Sequence, residues 1–285
     1  MANTTFSGPV RSKNGFRVIS ENSTTGQISD NSSTSISTRD TRRYYLNESW
    51  KQKPALNAAI AVAYNLDFEV LGTNMTTALV TFDSDRAGLT ITTAGADEDQ
   101  SIILPHLDTN QTSWTGVGWG TENQVEWECA ISTNAIDNQK IWAGLKLTND
   151  QLVATDANQA YFLFETDGDN GTSLSDYTLL HFVYSIADTD YISALPITVA
   201  ANTLYRLKIT IDSNRKASIF VNGIQYNVTT TSGSTGGTAV TTGTTPTAAL
   251  TDDINLIPYI GIEAGDSGAE ALDVHHQAIS RLIYE

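Results

Sequence analysis

Two glutamates lie two positions apart in the segment QVEWECAIS, at Glu126 and Glu128. Successive side chains of a β-strand point to opposite faces, so this spacing places both carboxylates on one face. Two carboxyl groups about 5–5.5 Å apart can hydrolyse a glycosidic bond with retention of configuration. The pair is therefore a candidate for acid–base chemistry on a sugar.

The segment resembles the catalytic strand of laminarinase-like jelly-roll glycosidases, which carry the motif E-x-D-x-x-E. In this chain the middle acid is Glu128, and the third position is Ile131, an apolar residue. The motif therefore lacks its acid–base partner, and we favour a strand with a structural role. Its core-facing residues would be Val125, Trp127, Cys129 and Ile131. We predict no catalytic residue and expect that the chain is not an enzyme.

The segment DGDNG, residues 167–171, resembles the start of a calcium loop because it offers the oxygen ligands that Ca²⁺ prefers. An EF-hand needs acids at positions that are Gly171 and Thr178 here, so that motif fails. Asp156 or Asp176 could still complete a site in a sandwich, but a plain turn is favoured. We predict no metal site and no cofactor.

Two tryptophans lie in a glycine-spaced segment, SWTGVGWGTEN, at Trp114 and Trp119. Exposed aromatic rings stack on sugars, so these residues are the best candidates for carbohydrate binding, but core packing or a contact between subunits is favoured. The adjacent His275 and His276 should face opposite sides of a strand. His106 and His181 are distant in sequence, and no metal-ligand spacing emerges.

The candidate residues must be positioned by β-strands, and the clearest strand pattern is in residues 203–223, TLYRLKITIDSNRKASIFVNG. Apolar and polar residues alternate on both sides of a polar turn, which predicts two antiparallel strands with one buried face. Asn222-Gly223 then predicts a further hairpin turn, because both residues tolerate positive φ. Other predicted strands are 68–71, 78–82, 89–93, 101–104, 124–132, 140–147, 160–165, 179–186, 256–263 and 271–284.

Thirteen or so strands with short polar turns are typical of a two-sheet sandwich. We expect the long C-terminal strand to lie beside an early one. Residues 51–64 favour a helix beginning near Pro54, with an edge strand as the alternative. Residues 229–247 are predicted to form a long loop without charge, which is either a contact to a neighbouring subunit or a linker.

Composition narrows the class of protein. The 285 residues are 40% hydrophobic, rich in Thr, Ser, Asn and Gly, and contain a single cysteine, Cys129, which we expect to be buried. No signal peptide or run of about 18 apolar residues is evident. Residues 1–53 contain eight basic and four acidic residues, a net charge of +4. Because the net charge of the whole chain is −16, the remaining residues have a net charge of −20. Such an acidic body repels nucleic acid and anionic membranes.

The polar composition of residues 1–53 predicts an extended basic arm that a partner orders. Its opening, MANTTFSGPVRSKNGF, resembles the N-termini of virion structural proteins of marine podoviruses and related tailed phages. That resemblance implies a capsid decoration protein, located on the virion surface, that binds the major capsid protein and forms trimers. The candidate anchoring residues are Arg11, Lys13, Phe16, Arg17, Arg39, Arg42 and Arg43.

The hairpin LKITIDSNRKASIFVNG resembles that of concanavalin A-like and laminin-G-like jelly rolls. The resemblance implies an all-β, two-sheet antiparallel jelly-roll sandwich over residues 54–285, following the arm. Many lectins, glycosidases and structural viral domains share that fold, so it does not determine function. The alternative function is a tail fibre or spike module that binds a host-surface glycan.

Overall fold

The computed structural model describes residues 19–21, 24, 28–30, 43–50, 55–56, 68–83, 88–105, 118–147, 156–166 and 174–283. The chain divides into two units, with the boundary between Arg43 and Tyr44. In the first unit, strands β1 (Ile19–Glu21) and β2 (Ile28–Asp30) pair antiparallel. The second unit contains the two large sheets.

The larger sheet has nine strands in the order β17-β13-β12-β11-β10-β18-β8-β5-β4. Their bounds are β4 (Ala55–Leu56), β5 (Phe68–Leu71), β8 (Gln100–Pro105), β10 (Gln139–Lys146), β11 (Gln159–Glu165), β12 (Leu179–Ile186), β13 (Thr189–Thr198), β17 (Gly233–Ala239) and β18 (Ile257–Ala264). The pairs are antiparallel except β4–β5 and β13–β17, which lie at the two ends of the sheet.

The smaller sheet follows the order β16-β15-β14-β9-β19-β7-β6, and β3 also pairs with β19. Its strands are β3 (Arg43–Glu48), β6 (Val80–Asp83), β7 (Gly88–Thr92), β9 (Glu126–Thr133), β14 (Tyr205–Ile211), β15 (Ala217–Val221), β16 (Ile224–Tyr226) and β19 (Ala271–Leu282). As predicted, the C-terminal strand lies beside an early one, β7.

A hydrophobic core fills the space between the sheets. The strands of the smaller sheet alternate buried and more exposed positions, as in β14 and β15. By contrast, β10, β11 and β18 are buried at every position, so the larger sheet is covered on both faces. Trp142 lies on the second buried face, opposite Gly261 in the register. A Cβ at Gly261 would lie 2.4 Å from that indole, so only glycine fits there.

Two predicted boundaries change. The helix preferred for residues 51–64 is wrong at Ala55–Leu56, which form the edge strand β4; the rest of that stretch lies outside the described residues. The sandwich begins at β3, inside the predicted arm, since β3 pairs with β19.

Within the described ranges we find no helix long and apolar enough to cross a membrane.

The predicted loop at residues 229–247 contains strand β17. Two hydrogen bonds hold Thr229, the first residue of this segment. The Tyr184 hydroxyl donates to the Thr229 carbonyl at 2.8 Å, and the Thr229 amide donates to Ser193 Oγ at 3.0 Å. Beyond Thr229, most of the described side chains up to Thr245 are exposed. The segment is therefore an ordered, uncharged surface.

Candidate functional site

Strand β9 has the predicted faces. Trp127 and Cys129 are buried in the core between the sheets, whereas Glu126 and Glu128 lie on the outer face of the smaller sheet. The next position on that outer face is Ala130, which offers no acid. Burial raises the pKa of the Cys129 thiol well above its usual value, which disfavours the reactive thiolate. The interpretation of this segment as a structural strand is consistent with these positions.

A groove of about 1000 Å³ lies on the outer face of the smaller sheet. Its size is at the upper end of the range of about 300–1,000 Å³ that is usual for small-molecule sites. The polar and aromatic side chains that line it come from four neighbouring strands and the loop before β14. They are Glu128, Ser132, Asn202, Arg206, Lys208, Thr210, Phe220, His275 and His276.

The strand register explains why the groove is hollow. Arg206 on β14 and His276 on β19 both pair with Ala130 on β9, so a small residue lies between two large ones. In the next row, Lys208 and Ala278 both pair with Glu128. Ala130 therefore leaves a depression between the long side chains of Arg206 and His276.

A β-bulge brings both histidines to the groove. Val274 pairs with Ile131 and His276 with Ala130, so His275 is an extra residue on β19. Both His275 and His276 line the groove, and His275 Nε2 lies 3.2 Å from Ser132 Oγ. The expectation that the adjacent histidines face opposite sides was wrong, because regular alternation ends at the bulge.

The groove contains charged and titratable side chains that a ligand could contact. Lys208 Nζ is 3.3 Å from Glu126 Oε2, and the guanidinium of Arg206 forms no ion pair with any residue in the described ranges. Burial lowers the pKa of His276, and the nearby Glu128 carboxylate partly opposes that shift. Among the residues that line the groove, Glu128 is the one carboxylate, and Glu126 lies on the same face of β9, where it pairs with Lys208.

Of the two tryptophans considered for carbohydrate binding, Trp119 does not line this groove. Trp119 is only 2% exposed, and its ring packs 5.7 Å from that of Tyr44 between centroids, so it cannot stack on a sugar in this conformation. Trp114 lies outside the described residues. Sequence reasoning missed the groove, although the alternation in β14 does place Arg206 and Lys208 on one face.

The predicted calcium loop at residues 167–171 also lies outside the described residues. Both carboxylates suggested as its helpers have other contacts. Asp156 accepts from the Leu147 amide at 3.1 Å, and Asp176 accepts from the Thr178 amide at 2.9 Å. A separate group of carboxylate oxygens within 4.8 Å of one another comes from Glu122, Asp252 and Asp253.

Of the candidate anchoring residues, Arg43 is the first residue of β3. The remaining ones lie outside the described residues: Arg11, Lys13, Phe16, Arg17, Arg39 and Arg42.

A buried polar layer on the second face of the larger sheet was not predicted. Lys140 Nζ lies 2.6 Å from Glu263 Oε1, and Gln100 Nε2 donates to Glu263 Oε2 at 2.6 Å. Lys146 Nζ is 2.9 Å from Gln159 Oε1 and 4.2 Å from the centroid of the Tyr161 ring. Because all of these side chains are buried except the half-buried Gln100, their mutual contacts must replace the water they lose on folding.

His181 lies on the same face and is fully buried. Its Nδ1 lies 3.0 Å from the Leu179 carbonyl oxygen, and its Nε2 has no hydrogen-bond partner among the residues the structure describes. Burial lowers the pKa of the imidazole, against the smaller opposing effects of the Leu179 carbonyl and the Asp176 carboxylate. The folded protein therefore disfavours the charged form of His181.

This burial predicts a loss of stability in acid. Because the pKa of His181 is lower in the folded state than its usual 6.5, the unfolded chain binds the proton more readily. The contribution is complete above about pH 6.5 and is lost as the pH falls below it. We expect His181→Gln to flatten the decline in unfolding free energy between pH 7.5 and 5.0, measured by urea denaturation.

The matched control is His276→Gln, since His276 is only partly buried and should account for less of that slope. Equal pH slopes in the wild type and in His181→Gln would contradict the prediction.

Neither a protein-family model nor a curated protein sequence matches the chain. Among solved structures, a protein of unknown function from Shewanella oneidensis MR-1 is similar, with a TM-score of 0.53 and 10% identity over 88% of this chain and 90% of that one. A Bacillus licheniformis β-glucanase has a TM-score of 0.47 and 11% identity over 82% and 97% of the two chains. Alginate lyase A1-II′, of polysaccharide lyase family 7, has a TM-score of 0.44 and 15% identity over 73% and 85%.

Similarity at these identities concerns the fold alone. Two of these proteins are enzymes by name, and the expectation that this chain is not an enzyme stays a prediction. The predicted fold class is confirmed: the protein is an all-β, two-sheet jelly-roll sandwich.

Proposed function

We propose that the protein is a non-enzymatic structural component of a tailed-phage virion, namely a capsid decoration protein. Its N-terminal arm binds the major capsid protein, and its jelly-roll body lies on the outer surface of the capsid. The resemblance of the opening segment, MANTTFSGPVRSKNGF, supports this assignment. The charge distribution also supports it, because a basic arm can bind an acidic or mixed shell while the acidic bodies stay soluble.

The observation that carries the proposal is the surface segment of residues 230–245, in which most of the described side chains are exposed. It has no charged residue, although the body from residue 54 onward has a net charge of −20. Like-charged bodies repel, and an uncharged surface lets two copies approach with the least electrostatic cost. Contact between neighbouring bodies through this surface is what a protein that forms trimers on a shell requires.

The test is co-sedimentation with capsids that lack the protein. We expect the full chain to saturate at a fixed ratio to the capsid subunit, and a variant that begins at Arg43 to stay in the supernatant. Starting at Arg43 retains β3, which pairs with β19, so the variant keeps that part of the sandwich.

The control keeps the length of the arm and replaces Arg11, Lys13, Arg17, Arg39 and Arg42 with glutamine. Weak binding by this control would assign the anchor to charge, and full binding would assign it to the remaining arm contacts. If the full chain does not sediment with the shell, the decoration assignment is abandoned.

A second candidate function is a tail fibre or spike module that binds host-surface carbohydrate. The groove on the smaller sheet favours this candidate, because it combines hydrogen-bonding side chains with the half-buried ring of Phe220. In this function the arm would attach the body to the tail. Binding of the protein to a glycan array would support it, whereas capsid decoration does not require any glycan.

A further inference from the structure

The groove gathers positive charge on an acidic body. Residues 54–285 contain only eight lysines and arginines against 28 acids. Two of those eight, Arg206 and Lys208, line the groove together with two of the four histidines of the chain. The opposing carboxylate in the lining is Glu128. A local excess of cationic and proton-accepting groups favours an anionic ligand over a neutral one.

We propose that this groove binds a carboxylated saccharide, such as a sugar-acid unit of an acidic glycan. Arg206 and His276 hold its carboxylate above Ala130. The inference rests on the second candidate function and names the chemical class of its ligand. It does not depend on where the protein sits on a particle.

The positions of Arg206, Ala130 and His276 on three adjacent strands support this assignment. Arg206 and His276 lie on strands separated by β9, so their Cα atoms are roughly 10 Å apart, or two strand spacings. Two long side chains can converge over a single alanine at that separation. A guanidinium presents parallel N–H donors that match the two oxygens of a carboxylate. Arg206 is exposed and is therefore available for this contact.

The position of the groove favours a saccharide over a peptide. Strands β9, β14 and β19 each have a neighbour on both sides, so their backbone groups already form ladders. A peptide placed on this face could not add a strand, which is the mode that gives extended peptides their backbone hydrogen bonds. Recognition by these strands therefore depends on side chains, and Asn202 and Thr210 offer partners for sugar hydroxyls. Phe220 supplies an apolar face for a sugar ring.

Charged and titratable groups reach the groove from three strands. They are Glu128 on β9, Arg206 and Lys208 on β14, and His275 and His276 on β19. Glu126 already pairs with Lys208, and Asp273 accepts from Thr90 Oγ1 at 2.6 Å. Protonation of His276 adds positive charge. Because burial lowers the pKa of His276 from its usual 6.5, affinity for a carboxylate should rise mainly as the pH falls below about 6.5. Affinity should also fall with added salt.

Calorimetric titration of the full chain tests the inference with two matched pairs of probes. These are tetragalacturonate with its methyl ester, and sialyllactose with lactose. We expect at least one acidic probe to bind at least tenfold tighter than its neutral partner. Arg206→Gln should abolish that preference, and Arg215→Gln, which changes an arginine outside the groove, should retain it. His276→Gln should remove most of the rise in affinity at lower pH.

Each other result overturns the inference in a recognisable way. Equal binding of acidic and neutral probes would leave carbohydrate binding in place and reject the charge selectivity. Equal losses in Arg206→Gln and Arg215→Gln would indicate non-specific attraction rather than a site. If no probe binds, both this inference and the carbohydrate-binding function fail, and the capsid experiment is unaffected.

Discussion

Replacing Glu263 with leucine is expected to lower the free energy of unfolding by about 3–5 kcal/mol. Glu263 is fully buried, and its two carboxylate oxygens accept from Lys140 Nζ and Gln100 Nε2, each at 2.6 Å. Leucine removes both acceptors while Lys140 stays only 2% exposed. Lys140 loses this carboxylate in the variant, and removing one partner of a buried ion pair is costly.

Urea denaturation followed by tryptophan fluorescence measures this loss. The double variant Lys140→Met, Glu263→Leu should regain most of the stability, because it removes the cation together with the acid. Glu126→Leu is the surface control, since the exposed pair of Glu126 with Lys208 should contribute at most about 1 kcal/mol. If the single and double variants are equally unstable, the buried pair is not the cause.

Trp127→Ala is the second change with a large expected effect, again about 3–5 kcal/mol. Trp127 is fully buried in the core between the sheets, so truncation removes its apolar contacts and leaves a cavity. Glu128→Ala is the matched control on the adjacent position of the same strand. Its side chain is exposed on the other face, and we expect a change within about 0.5 kcal/mol.

Thermal and urea denaturation of the two variants would compare the faces of β9 directly. A small effect of Trp127→Ala, or a large effect of Glu128→Ala, would mean that the assignment of inner and outer faces is incorrect.

The alternation of apolar and polar residues in the sequence was sufficient to predict most strands of the sandwich. Strand β12 has the predicted bounds, 179–186, and the two strands of the central hairpin fall within 203–223. In these strands, local pattern and tertiary burial agree, so the local pattern is informative.

Strands β13 and β17 were not predicted. Strand β13 contains Pro196, which cannot donate to a ladder and weakens a strand signal. Strand β17 has the sequence GSTGGTA, whose glycines disfavour a strand in isolation. Its pairing with β13 is tertiary context that the local pattern does not contain.

The groove could be predicted only in part. The outward positions of Glu128, Arg206 and Lys208 follow from alternation, but their neighbourhood depends on which strands pair. The two histidines reach the groove through a bulge, and one extra residue changes the phase of the pattern without leaving a clear local signal. The pair of Lys140 with Glu263 joins residues 123 positions apart, so no local pattern indicates it.

The position of β19 has a consequence for synthesis of the protein. This strand, residues 271–282, lies inside the smaller sheet between β9 and β7, and β18 similarly lies between β10 and β8 in the larger sheet. Until residue 282 has left the ribosome, β9 and β7 each lack a neighbour and expose unpaired backbone groups. The two sheets therefore cannot be completed before residues 257–282 have been synthesised, and the nascent chain must avoid association with other nascent chains until β19 is inserted.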